Sequence, residues 1–116
     1  ILPELLSLGS VSKNADPEKL EKSGMALFTQ PGFKIPLARG CSAWAIFKKL
    51  PETEELSKKY DLFLGQAVAA WGDERVYQNG RPDFEHAPKE MRTTHYVSGG
   101  RFFLLGEAVD VEPTAL

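Results

Sequence analysis

Apolar and polar positions along this chain fall into two regimes, helical at the beginning and extended over most of the remainder. Leu2 to Leu8 carries apolar residues at a spacing compatible with one short helix, with Pro3 tolerated in its first turn and Gly9 placed to end it. The polar stretch from Ser10 to Ala15 reads as a loop. Asp16, Pro17 and Glu18 then open a second short helix, with a capping aspartate followed by proline at the first helical position. It runs to about Lys22 and stops at Ser23-Gly24.

From Met25 onward the pattern is β-like. Pro31-Gly32 marks a turn, and Pro36 precedes a long run from Leu37 to Leu50 in which both alternating sets contain apolar residues, predicting a strand buried on much of both faces. Pro51 to Lys59 is charged and reads as an exposed connection with at most a helical turn. A second long strand, apolar on both sides, is predicted from Tyr60 to Trp71. Two such strands in succession favour a barrel over an open, one-faced sheet. Asn79-Gly80 signals a tight turn, Pro82 and Pro88 bracket a polar loop, and Gly99-Gly100 introduces a short last strand from Arg101 to Leu105. The reading is a mainly β (α+β) domain with short helices, occupying residues 1–116 as one unit.

Size and composition narrow the classes. With 116 residues there is room for one domain. A net charge of −2 gives no long-range attraction to nucleic acid or anionic membrane, and the lysines around Lys48-Lys49 and Lys58-Lys59 flank a loop with its own acidic residues, so nucleic-acid binding is not expected. No apolar run is long enough to span a bilayer, and the opening segment lacks the basic flank and cleavage site of a signal peptide. A single cysteine excludes an intrachain disulfide and fits a reducing compartment, so the expected location is the cytoplasm.

Candidate chemistry is sparse. His86 and His95 have no cysteine or carboxylate at a recognised ligand interval, which predicts no metal site. His86 reads as a solvated loop residue, whereas His95, beside Tyr96 and ahead of the glycine pair, is a candidate for lining a ligand pocket against the alternative of a surface or core histidine. Cys41, placed in a strand without a nearby histidine, reads as a core residue. Trp44 and Trp71 read as packing residues. The loop Ser10 to Asn14 offers hydroxyls and amides ahead of a helix, which suits a phosphate, although such loops also serve as plain capping segments.

Four stretches in order resemble the flavin reductase-like family of FMN-binding split barrels, which includes flavoredoxins and the reductases of two-component monooxygenases. Leu8-Gly9-Ser10-Val11-Ser12 through Lys19-Leu20-Glu21-Lys22-Ser23-Gly24 resembles the family's Thr/Ser-rich loop and following Ser-Gly-Leu. Pro36-Leu37-Ala38-Arg39-Gly40-Cys41 is similar to its Pro-Leu-x-x-x-Cys segment. Leu62-Phe63-Leu64-Gly65-Gln66-Ala67-Val68 resembles its Leu-Phe-(Val/Ile)-Gly-Glu-Val strand, followed by Asp73-Glu74 and Asn79-Gly80-Arg81. Gly99-Gly100-Arg101-Phe102-Phe103-Leu104-Leu105-Gly106 resembles its terminal Gly-Gly-Arg-(Tyr/Phe)-x-x-Leu-Gly.

The resemblance implies a split β-barrel of Greek-key type, usually a homodimer, holding FMN or in some members FAD, with NAD(P)H as cosubstrate. It implies that Ser10, Ser12 and Lys19 approach the flavin, a lysine there favouring the reduced, anionic cofactor. Many of these reductases carry Gly-Asp-His just before the strand at Leu62, the histidine being linked to nicotinamide binding; here Lys58-Lys59-Tyr60 occupies those positions, which makes Tyr60 the candidate nicotinamide contact. The family's first barrel strands have no counterpart in this chain, so an incomplete barrel, the C-terminal segment of such a protein, is expected, with strand edges left for a partner chain or further strands. The leading function is NAD(P)H-dependent flavin reduction or electron transfer. The alternatives are a non-catalytic FMN-binding electron carrier, a flavin-free dimerisation module, or a small-ligand-binding barrel unrelated to flavin.

Overall fold

The computed structural model describes residues 1–115. Eight strands and three short helices make up the described regular structure, together with two 3-10 turns. All strand pairing is antiparallel, in four two-stranded sheets that do not close into a barrel among the described residues, in keeping with the expected incomplete barrel. The chain divides into two compact units, Ile1–Asp73 and the segment from Glu74 onward.

In the first unit, α1 (Leu2–Ser10) runs through Gly9 instead of stopping there, and ends as Val11 turns extended. Nothing forces the left-handed conformation for which a terminating glycine is used, and the last turn is closed by the Ser10 hydroxyl donating to the Ser7 carbonyl. Asp16 does not cap the second helix directly. It accepts from the Glu18 amide and from Lys22, and α2 (Lys19–Lys22) begins only after this turn. A short pair, β1 (Leu27–Phe28) and β2 (Leu37–Ala38), spans the Pro31-Gly32 turn.

The predicted strand from Leu37 to Leu50 is two strands. Gly40 sits at φ +89° in a turn that separates β2 from β3 (Ala43–Lys49), and its α-carbon faces Ile1, whose Cβ would lie 3.4 Å from an added Cβ. Cys41 therefore lies just after this turn, half-buried, not inside a strand. After the 3-10 turn Pro51–Thr53, the expected loop is largely helical: α3 (Glu54–Tyr60) starts with Glu54 and Glu55 and ends with Lys58 and Lys59, charges that complement the helix dipole. The second long strand begins late, because Tyr60 closes α3 and Asp61 adopts a left-handed cap, so β4 covers Gly65–Gly72. β3 and β4 pair with Trp44 opposite Trp71, and a bulge shifts register between Ile46 and Phe47. Burial on both faces is corrected: along β3 only Ile46 is buried, and along β4 no residue is. The two-sided apolar pattern describes surface that this unit leaves open.

What is covered is fixed by aromatic contacts. Trp44 meets Phe28 edge-on at 5.4 Å and Trp71 meets Phe33 at 5.3 Å, so both tryptophans pin the β1–β2 segment to the hairpin. In the second unit, β5 (Tyr77–Gln78) and β6 (Arg81–Pro82) flank Asn79-Gly80, both of positive φ, as a tight hairpin requires. Val76, Ala87 and Met91 form a small core with Tyr77 and Phe84 against it. β7 (Thr94–Ser98) pairs with β8 (Arg101–Leu104) through the Gly99-Gly100 turn.

Candidate functional site

The most developed polar arrangement lies in the first unit, where α1, α2 and the loop between them meet. Ser10 lies on the last turn of α1 and Ser12 begins the loop, both exposed. The Ser12 carbonyl accepts from the amides of Ala15 and Asp16, and its hydroxyl oxygen also accepts from Ala15. The loop is thus curled by its own bonds, while the amides of Ser12, Lys13 and Asn14 have no hydrogen-bond acceptor among the described residues.

Lys19, half-buried at the start of α2, points back across this loop. Its ammonium donates to the Leu8 carbonyl at 2.6 Å and to the Val11 carbonyl. These oxygens lie at the end of α1, where helical carbonyls lack intrahelical partners and the dipole favours a cation. The carboxylate-pairing alternative falls instead to Lys22, which bonds both oxygens of Asp16 at 3.0 Å and approaches Glu18 at 3.4 Å. That contact holds the Asp16 carboxyl below its usual range and pushes the Lys22 ammonium up. Beside Lys19 opens a groove of about 830 Å³, its apolar wall formed by Leu8, Leu20, Met25 and Leu27 and its rim bearing Lys13 and Glu18. Ser10 and Ser12 do not line it.

Tyr60 stands at the end of α3, 62 % exposed, and the Lys59 ammonium lies 5.1 Å from the ring centroid. Close in sequence, Phe47 and Phe63 are also exposed and form, with Lys49, Leu64 and Gly65, a second open groove of about 540 Å³. Lys49 lies over the Phe63 ring at 5.3 Å and pairs with Glu54. Sequence reasoning passed over this group because its members fall in two separate predicted strands, each read as covered on both faces.

In the second unit, His95 is exposed on β7 opposite Phe103, and no side-chain hydrogen bond engages its ring among the described residues. The other histidine is the engaged one. The His86 Nδ1–H donates to Asp83 Oδ2 at 2.8 Å, and the His86 amide donates to Asp83 Oδ1. The carboxylate raises the His86 pKa, and the imidazole lowers that of Asp83. The spacing Asp-x-x-His after a proline turn was the available signal. Burial pushes the Cys41 thiol pKa up, outweighing the lowering by the Ile1 ammonium, and this opposes thiolate formation. No cluster of three or more metal-binding side chains exists among the described residues, and no helix there is long and apolar enough to cross a membrane.

The structure thus brings Ser10, Ser12 and Lys19 together in the first unit, with Tyr60 elsewhere in that unit and His95 in the second.

No family model matches the chain. It is 33 % identical over 104 residues to a protein of Escherichia coli strain K12 described as uncharacterized protein YddH, an alignment covering 89 % of this chain and 53 % of that protein. Among solved structures it matches the FMN-binding domain of a flavin reductases-like enzyme from Shewanella baltica OS155, with a TM-score of 0.88 and 36 % identity, over 96 % of this chain and 58 % of that one. The chain therefore spans a little over half the length of these relatives, and over nearly all of its own length it has the fold of that FMN-binding domain.

Proposed function

We propose that this chain is a portion of an FMN-binding protein of the flavin reductase-like family, its residues 1–116 acting as one part of a Greek-key split barrel that works as a homodimer in the cytoplasm. The observation that carries the reading is the 0.88 TM-score to an FMN-binding domain at 36 % identity. The residues of the α1–α2 loop fit the cofactor's phosphate: three unengaged amides, the Ser12 hydroxyl and the Lys13 ammonium supply donors and positive charge without a competing carboxylate bond, while Ser10 closes the adjoining turn of α1 through the Ser7 carbonyl. Bound flavin would supply a two-electron acceptor for hydride from NAD(P)H. The chain's own part is to hold the phosphate, orient the ring system and present apolar surface that excludes water. His95 is assigned to the flavin's surroundings and Tyr60 to the nicotinamide.

The test is the visible spectrum of the purified protein after addition of FMN and removal of the excess. Retained flavin absorbance supports the reading, and bleaching by anaerobic NADH or NADPH then supports the reductase. Complete loss of flavin from the intact protein defeats it.

A second reading, an FMN-binding electron carrier without nicotinamide chemistry, is favoured by Tyr60. A phenol held against Lys59 replaces the imidazole expected at that position. Flavin retained but not bleached by either nucleotide selects it.

A further inference from the structure

The position of the Lys19 ammonium changes what this residue does. Resemblance assigns it to the cofactor, yet its nitrogen is committed to two backbone carbonyls, Leu8 and Val11, eleven and eight residues before it in sequence. We propose that Lys19 is a positioning residue: a latch that ties the end of α1 to the start of α2 and so presets the Ser12–Asn14 amides for a phosphate monoester, without itself touching the flavin ring. This inference rests on the flavin reading for the identity of its ligand, but not for the latch.

Three observations carry it. The Leu8 and Val11 carbonyls bracket the point where the chain leaves α1, so one cation fixes both the last helical turn and the exit direction of the loop. The loop's far side is closed by Ser12 accepting from Ala15 and Asp16, bonds that hold only while the loop leaves α1 in the direction that Lys19 sets. Between these two anchors lie Ser12, Lys13 and Asn14, whose amides have no acceptor among the described residues. A segment held at both ends with its donors unspent is preorganised, and the ordering cost of binding an anion is met in advance. Lys22 cannot substitute for Lys19, because Asp16 and Glu18 hold its ammonium.

The experiment compares the intact wild-type protein with Lys19→Met and Lys19→Arg, using FMN and riboflavin as probes and amide hydrogen exchange without any flavin. With a latch, Lys19→Met speeds exchange at Ala15 and Asp16 by about ten-fold or more while β3–β4 amides are unchanged. It also weakens FMN by about ten-fold while leaving riboflavin affinity and the bound flavin's reduction potential as in wild type, and Lys19→Arg restores most of both effects. Equal losses for FMN and riboflavin, or a shifted potential, would place the lysine at the ring and overturn the proposal. Unchanged exchange in Lys19→Met also overturns it, whatever the flavin does. Failure of the wild type to retain FMN sinks the flavin reading separately, and the exchange measurement still decides the latch.

Discussion

The indole Nε1–H of Trp44 donates to the carbonyl of Ala38 at 2.6 Å, and the same ring lies edge-on to Phe28. One side chain on β3 thereby secures both strands of the preceding pair, across the turn at Gly40 where the predicted continuous strand breaks. Trp44→Phe keeps an apolar ring but leaves the Ala38 carbonyl without this donor, so a loss of about 1 kcal/mol is expected. Urea denaturation of the two proteins measures it; equal midpoints would show that the bond contributes nothing net.

Gly65 opens β4 beneath Phe47. A Cβ there would lie 3.1 Å from Phe47 Cβ and 3.3 Å from the Lys48 carbonyl, and the carbonyl belongs to the paired strand and cannot turn away. Gly65→Val should cost about 1–3 kcal/mol by crowding, read as a lowered unfolding midpoint. Gly106, with nothing within 4 Å, is the control: Gly106→Ala should leave the midpoint in place.

Asp83 and His86 predict a pH dependence. His86 has a raised pKa in the folded chain, so its stabilising contribution is complete below the ordinary histidine value and fades as pH rises through the raised one. Asp83 has a lowered pKa, so its contribution is present above the ordinary carboxylate value and fades as pH falls through the lowered one. The pair therefore acts in the window between them. Asp83→Asn should return the His86 titration toward the ordinary value, measured by imidazole proton shifts between about pH 5 and 8. An unmoved titration would mean that the pair does not persist in solution.

Ser10 and Ser12 carry the phosphate part of the proposed site. The double variant Ser10→Ala, Ser12→Ala should weaken FMN by about ten-fold, through loss of the Ser12 donor at a charged ligand and of the Ser10 bond that closes α1 beside it. Riboflavin, lacking the phosphate, should bind the variant and the wild type alike; fluorescence titration with both flavins decides.

Tyr60, well exposed, should be dispensable for folding: Tyr60→Ala should shift stability by no more than about 0.5 kcal/mol. If the phenol receives the nicotinamide, the same variant slows flavin bleaching by NADH or NADPH, and Tyr60→His speeds it. Identical rates in all three proteins would remove Tyr60 from the site.

Local chemistry in the sequence by itself determined the turns and the short elements. Asn79-Gly80 and Gly99-Gly100 stand where positive φ is required, and α1 lies close to where its apolar spacing puts it. The ordered residue types also pointed to the fold that the solved FMN-binding domain has. Tertiary structure decided the rest. The division of the Leu37–Leu50 run at Gly40, the late start of β4 after the Asp61 cap, and the open faces of β3 and β4 depend on what packs against a strand, and periodicity records apolarity without recording its partner. The role of Lys19 was hidden for a related reason: its acceptors are main-chain carbonyls, which every residue carries, so no side-chain pattern could announce them. Only the fold, by bringing the exposed end of α1 within reach of one ammonium, made two of those carbonyls distinct from all the others.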